Sequence, residues 1–394
     1  MMLRLRHFTR RFDQGTPRYR SERSHEVCSV DGGPPSERSL LPNSSGRIGH
    51  VFLVATRRIP GFEQGMFDRL LQLAAAFPKI SVAVHQADAA EFRARITALG
   101  LPAKVNIVVM PHGATLWPWA QDRILVVRDG NGAAAVLDSG SGDDTGLAAA
   151  GAIGVAGSIP AGFPLPGGNI LVHDTLCFVG ADLSPDVVAG VETRRSVEVI
   201  GCAPLDRRGP TRFQIAPGDH SWRQDVDRSI AATGSRQPVF HIDMFMTLAG
   251  TTADGRPRVL LGDPVRASDM IGVPLPEGFP AAAFAEIDGS LRARGFEVVR
   301  NPLPFVYFDD PDARLREWFY ASANNCWVEH TADCSRVHLP EYGFGEWPEL
   351  KATDEANAAI WEGLGFTVAH GGDFLPLADQ LGSLNCVTKI LERD

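Results

Sequence analysis

The chain alternates short apolar runs with longer amphipathic stretches from residue 49 onward. Residues 50–55 read as a buried strand. Residues 66–77 place Phe67, Leu70, Leu71, Leu73 and Ala74 at helical spacing. Residues 80–84 then read as a strand, 89–99 as a helix and 105–110 as a strand. Residues 123–127 and 134–137 are further strands, joined by Asp129-Gly130-Asn131-Gly132, a hairpin signal.

The C-terminal half repeats one unit. Residues 280–294 are helical and stop at Gly295, which suits a left-handed C-cap, and a strand follows over 296–299. Residues 355–363 are helical, Gly365 stops them, and 366–368 form a strand. Both copies read helix, then G-F-x-V, then a loop with proline. Leu99-Gly100 before residues 105–110 is a looser third copy. Such recurrence predicts an α/β assembly with internal pseudo-symmetry, although G-F-x-V is also a common helix-to-strand junction.

Residues 1–47 lack this periodicity. They are rich in Arg, Ser, Pro and Gly, and no apolar segment of the secretory kind follows the basic start. They are expected to be a disordered or poorly structured N-terminal segment, or an over-extended start of the reading frame. An Arg-rich organellar presequence is the alternative. Residues 48–394 form the folded catalytic domain.

Composition changes this picture little. With 394 residues, 44% hydrophobic and 22% charged, the chain is ordinary for a globular protein. The formal charge of −9 disfavours nucleic acid or an anionic membrane and suits a cationic ligand. The six cysteines, Cys28, Cys177, Cys202, Cys326, Cys334 and Cys386, form no C-x-x-C. That argues against a disulfide framework or structural zinc and for a reducing, cytoplasmic setting. No apolar run reaches membrane-spanning length. His112, His173, His220, His330, His338 and His370 show no metal-ligand spacing. The Asp/Gly-rich segment 138–146 matches no EF-hand loop and reads as a loop near the site.

Four segments carry candidate chemistry. They are Trp119-Ala120-Gln121-Asp122, Pro166-Gly167-Gly168-Asn169, His241-Ile242-Asp243 and Gly382-Ser383-Leu384-Asn385-Cys386-Val387-Thr388. If residues 241–243 are a strand, His241 and Asp243 share one face. A planar guanidinium stays protonated at neutral pH and is a poor electrophile. Two carboxylates can grip its N–H fork. A cysteine thiolate can attack its carbon, and a histidine can protonate departing ammonia and deprotonate water. Asp122, Asp243, Cys386 and His241 supply that set. Taken singly, Asp122 fits a turn cap, His241 a satisfied core histidine, and Cys386 a small buried hydrophobe.

These segments resemble the guanidino-modifying enzymes of the pentein fold, and most closely the catalytic domain of protein-arginine deiminases. The family's W-x-Q-D matches Trp119 to Asp122, and its H-x-D-x-F matches His241, Asp243 and Phe245. Its G-x-x-H-C-x-T matches Gly382, Cys386 and Thr388. Val136-Leu137-Asp138-Ser139, Gly146-Leu147 and Gly168-Asn169 resemble further family segments. Residues 324–343, ending Pro340-Glu341-Tyr342-Gly343, resemble a segment shared with agmatine deiminases. The likeness spans about residues 113–388.

It implies an α/β pentein: five ββαβ-like modules around a pseudo-five-fold axis, with the site in a central channel. It implies Cys386 as nucleophile, His241 as acid/base, and Asp122 and Asp243 as the guanidinium clamp. Trp119 would pack on the substrate's alkyl stem, and Asn169 and Asn385 would bind substrate. The expected reaction is deimination of arginine in a peptide, or of an arginine derivative, through a covalent thiouronium. Amidinotransfer or a dihydrolase reaction would use the same residues, and a non-catalytic guanidinium-binding protein is the remaining alternative.

Three departures bear on this. Asn385 stands where the family has His, and can still donate a hydrogen bond. Pro166 stands where agmatine and free-arginine deiminases carry Glu, which favours the protein-arginine group. Arg123 follows Asp122 where calcium-dependent members are acidic, so no calcium, metal or cofactor is expected. Free arginine would need a partner for its carboxylate; Arg123, Arg128 and Arg300 are candidates. A guanidinium-bearing small molecule or peptide is the expected partner. A homodimer is one oligomeric option.

Overall fold

The computed structural model describes residue 4 and residues 37–394, except 140–141, 162–165, 206–210, 216–218 and 226–234. Apart from Arg4, the segment 1–36 lies outside the described residues.

One unit occurs five times: an antiparallel strand pair, a helical crossover, and a third strand parallel to the second. The first is Ile124–Asp129, Ala134–Asp138, helix Thr145–Ala152 and strand Ile159–Pro160. The second is Ile170–Val172, Leu176–Gly180, helix Pro185–Ala189 and Ser196–Ile200. The third is Met246–Thr251, Pro257–Asp263, helices Pro264–Ile271 and Ala281–Ala293, and Glu297–Pro302. The fourth is Trp327–His330, Ser335–Glu341, helix Lys351–Gly363 and Thr367–Asp373.

The fifth joins the two ends of the chain. Thr388–Arg393 pairs antiparallel with Ile48–Ala55. Helix Met66–Ala74 then leads to Lys79–His85, which lies parallel to Ile48–Ala55. Helix Ala89–Ala98 and Val105–Met110 extend the same sheet. Parallel strands need crossovers, so each helix covers its sheet and each second strand is buried on both faces. Ile48–Ala55 is buried at all eight positions, which explains its unbroken apolar run.

The G-F-x-V repeat marks equivalent places in the third and fourth units, with Gly295 at φ +88° and Gly365 at φ +87° ending their helices. In these two units the sequence showed the helix-to-strand half and not the hairpin before it, whereas in the first unit it showed the hairpin. The looser copy at Leu99-Gly100 is the extra crossover of the fifth unit. A sixth sheet orders Thr211–Phe213, Trp222–Asp225, Leu315–Tyr320 and Phe305–Asp310.

Part of the segment placed before residue 48 is bonded to the rest of the chain. Arg38–Leu40 pairs with Ile124–Asp129, and Arg393 donates to the carbonyls of Asn43, Gly46 and Val328, 3.1 Å and 2.8 Å for the last two. This stretch is held by hydrogen bonds to other segments, which leave no hydrophobic period to read. Among the described residues no helix is long and apolar enough to cross a membrane.

Candidate active site

Every unit begins with a polar turn placed just before its first strand. These turns contain Asp122 before Ile124, Asn169 before Ile170, Asp243 before Met246, Asn325 before Trp327, and Cys386 before Thr388. Hydrogen bonds and close contacts link the turns in a closed circuit. Gln121 N–H donates to the Cys386 carbonyl at 3.2 Å, and the Gln121 carbonyl abuts Gly167. Asn169 Oδ1 accepts from Ile242 N–H at 3.2 Å. Ser322 Oγ donates to the Met244 carbonyl at 2.6 Å. Asn385 N–H donates to the Asn325 carbonyl at 3.3 Å. Residues far apart in sequence thereby reach one buried centre.

Residues 241–243 are not a strand. His241 is extended, with φ −129° and ψ 145°, and Ile242–Met244 is a 3-10 turn. His241 and Asp243 still meet around one point, because Gly168 leaves the room. A Cβ built on Gly168 would lie 2.8 Å from His241 Nδ1 and 3.0 Å and 3.1 Å from the two Asp243 oxygens. Only a residue without a side chain fits between them.

Asp122 ends the 3-10 turn Ala120–Asp122, and its Oδ1 stands 3.5 Å from His241 Nδ1, a contact without hydrogen-bond geometry. Asp122 is the more open of the pair, with 23% of its side chain exposed against 9% for His241. Asp243 is buried and accepts from Asn385 Nδ2 at 2.9 Å. Asn385 therefore does donate a hydrogen bond, to a clamp carboxylate. Cys386 is buried; its N–H donates to Asn325 Oδ1 at 3.1 Å, and its Sγ lies 3.9 Å from Met244 Sδ in the turn carrying Asp243. The Cys386 turn is shaped by Leu381, at φ +66°, and by Gly382, where a Cβ would lie 2.1 Å from the Trp119 ring. Trp119 is thus seated on the Cys386 loop.

Asn169 takes a supporting place. Its amide exchanges hydrogen bonds with Gln237, at 3.0 Å and 3.3 Å, and holds the Ile242 N–H. These bonds fix the His241 turn.

Burial governs the titrations. It pulls His241 below its ordinary value, while Asp122 pushes the other way. It pushes Asp243 up to about 8, against hydrogen bonds from Asn385 and Asn325. It pushes Cys386 well up, with both carboxylates adding to the effect. The empty centre therefore favours a neutral imidazole and a protonated thiol. An arriving cation reverses the last term, favouring carboxylates and thiolate together.

Two residues escaped the sequence reading. Asn325 sits in the quoted 324–343 segment but carries no recognised catalytic type; its place ahead of the fourth unit's first strand is the signal. Lys389 follows the quoted segment 382–388 and was not singled out. It is buried, donates to Gln121 Oε1 at 3.0 Å, and is pulled down to about 8 by burial, against the attraction of Asp122 and Asp243. A cavity of about 30 Å³, room for one water, lies beside it, lined by Leu41, Asn43, Gln121 and Asn385.

The candidate carboxylate partners are all engaged. Arg123 lies 3.0 Å from Asp143 and over the Trp117 ring, which ties the 138–146 segment to the site. Arg300 meets Asp263 and Asp288, and Arg128 donates to the Arg393 carbonyl. Among the described residues no His, Cys, Asp and Glu group could hold a metal ion. Five described cysteines are free thiols: Cys177, Cys202, Cys326, Cys334 and Cys386.

No family model matches this chain, and no curated protein matches it in sequence. Solved structures do. The agmatine deiminase of Enterococcus faecalis superposes with a TM-score of 0.58 at 13% identity, over 89% of this chain and 95% of its own. A structural-genomics X-ray structure named as a candidate agmatine deiminase gives 0.59 at 14% identity, over 89% and 95%. The chain has the pentein fold. Nearly the whole length of these penteins is covered, and five ββαβ units agree with the architecture expected from sequence. At this identity the likeness concerns fold and leaves function to the residues.

Proposed function

We propose that this pentein is a cysteine-dependent hydrolase that deiminates a guanidinium group to a ureido group and ammonia. The observation carrying this reading is the convergence of Asp122, His241, Asp243 and Cys386 from three of the five turns: Asp122 lies against His241, Gly168 sits between His241 and Asp243, and both carboxylates act on Cys386. In the same proposal the five units surround a common axis and the site opens into the channel along it.

Asp122 and Asp243 would grip the guanidinium fork and hold its carbon before Cys386 Sγ. His241, neutral through burial, takes the thiol proton; the thiolate bonds to the carbon. The imidazolium, steadied by Asp122, gives that proton to the departing nitrogen as the C–N bond breaks and ammonia leaves. Water then adds to the S-alkylthiouronium while His241 accepts its proton. The C–S bond breaks as the adduct's hydroxyl proton passes to sulfur, which releases the ureido product and the thiol, and His241 gives its proton to the released ammonia or to solvent. A reducing compartment such as the cytoplasm suits that thiol.

The substrate reading is arginine within a peptide or an arginine derivative. Arg123, Arg128 and Arg300 all have partners, which supports a substrate whose far end is no free α-carboxylate. Pro166 in place of the Glu of free-arginine and agmatine deiminases supports the peptide. Agmatine is the second reading, favoured by what the superposing enzymes are named for. The test is ammonia and ureido formation from an arginine peptide, free arginine, agmatine and a methylated arginine. Turnover of one member, lost in Cys386→Ala, supports the reading. A panel with no turnover, in a protein that binds none of the four, removes it.

A further inference from the structure

The sixth sheet ends, in its strand order, with Phe305–Asp310. Against this strand lies Arg4 of the chain's own N-terminal segment. Asp309 N–H donates to the Arg4 carbonyl at 2.7 Å, and Arg4 N–H donates to Asp309 Oδ2 at 3.0 Å. The guanidinium sits 4.5 Å over the Trp347 ring. Its Nη1 donates to the Glu346 carbonyl at 2.6 Å and its Nη2 to Glu349 Oε1 at 2.5 Å. Only 18% of the Arg4 side chain remains exposed.

The cradle is held by contacts that do not involve Arg4. Trp347 is fully buried, donates Nε1 to the Tyr307 carbonyl at 3.0 Å and meets the Tyr307 ring edge-on. Asp309 is clamped by Arg316 at 2.7 Å and 2.9 Å, with both side chains fully buried. Glu349 lies in the 3-10 turn Pro348–Leu350, and its Oε2 is buried without a hydrogen-bond partner. The site therefore offers a rigid aromatic face, a carboxylate and a carbonyl at the guanidinium, with one backbone hydrogen bond to the strand end and one to the Asp309 carboxylate behind it. None of these residues belongs to the catalytic centre.

We infer that Trp347, Glu346, Glu349 and the Asp309 end of strand Phe305–Asp310 form a second guanidinium site, which reads arginine in an extended peptide and is occupied in cis by Arg4. Backbone pairing with a strand gives affinity, and a side-chain pocket gives specificity. A planar guanidinium can stack on the indole and donate to two acceptors at once; a lysine ammonium cannot do both. This inference does not depend on the deiminase reading, since its readout is binding.

The probe is a fluorescent peptide of sequence MMLRL, residues 1–5, beside a counterpart with lysine in place of its arginine. Full-length Arg4→Ala protein should bind MMLRL saturably, and the lysine peptide at least about tenfold more weakly. Glu349→Gln in the same chain should weaken MMLRL to the same degree; this side chain is 38% exposed, so folding should be kept. Parent protein, with Arg4 in place, should bind MMLRL more weakly than Arg4→Ala does. Adding Asp243→Asn to Arg4→Ala should leave the Glu349-dependent binding in place. Absence of saturable binding to Arg4→Ala overturns the inference, as does equal affinity for both peptides or for parent and Arg4→Ala. Binding lost in Asp243→Asn and kept in Glu349→Gln would place the peptide in the catalytic centre and overturn it equally.

Discussion

At the residue scale the centre trades stability for chemistry. Asp243 is kept where its charge is costly, and its carboxyl titrates near 8 in the folded state against an ordinary 3.8. The folded protein then binds more protons than the unfolded chain between those values. Stability from this group is present at low pH and is lost as pH rises through about 8. Asp243→Asn removes that dependence and keeps an amide in the same volume. Its melting temperature should match the parent's near pH 4 and exceed it near pH 8 by roughly 2 °C or more. Calorimetry at the two pH values measures the difference, and a gap that narrows with rising pH would contradict the assignment.

Lys389 belongs to the same scale. It is a buried cation that holds Asp243 down. Lys389→Met should raise the Asp243 titration further, so KM for a cationic substrate should increase at pH 7 and recover only at higher pH. A tenfold increase corresponds to about one unit of displacement. An unchanged KM–pH curve would show that the lysine serves packing alone.

At the element scale the turns decide the site. The Gly168 turn approaches His241 and Asp243 so closely that one methyl group must move them. Gly168→Ala should leave the circular dichroism spectrum intact and lower kcat about a hundredfold, since small misplacements of catalytic groups cost that much. Full activity in Gly168→Ala would mean that the imidazole and carboxylate need not hold these positions. All four chemical segments were legible as short motifs because each is compact in sequence. The geometry of residues 241–243 was not: a three-residue 3-10 turn has too short a period to distinguish from a strand. Asn325 and Lys389 were missed because Asn and Lys are common in turns and on surfaces, and their value here comes only from where the fold buries them.

At the scale of the whole molecule, the chain's ends close the structure. Thr388–Arg393 is the last strand and pairs with Ile48–Ala55, so Cys386 is tethered to the N-terminal strand of the fifth unit. Arg393 ties this seam to residues 43–46 and to Val328 through backbone carbonyls, and burial pulls its titration down to about 9. Arg393→Ala strands those acceptors and should destabilise the protein by about 3 kcal/mol. Denaturant unfolding gives the number, and a loss below about 0.5 kcal/mol would indicate a seam held by strand pairing alone.

The sequence by itself determined the α/β class and the repeated helix-to-strand unit, and it singled out the four candidate chemical residues. Those features are local: apolar spacing follows from the geometry of helix and strand, and reactive side chains stand out where they cluster in short motifs. It did not show that Arg38–Leu40 is a paired strand, that Asn169 bonds to Gln237 and Ile242, or that Lys389 is buried. Nor could it show that Arg4 meets Trp347 and Glu349. Each of these depends on contacts between segments tens to hundreds of residues apart, which composition and periodicity do not encode. The tertiary structure alone sets burial, and burial is what changes the charge of a carboxyl, a thiol, an imidazole or an amine.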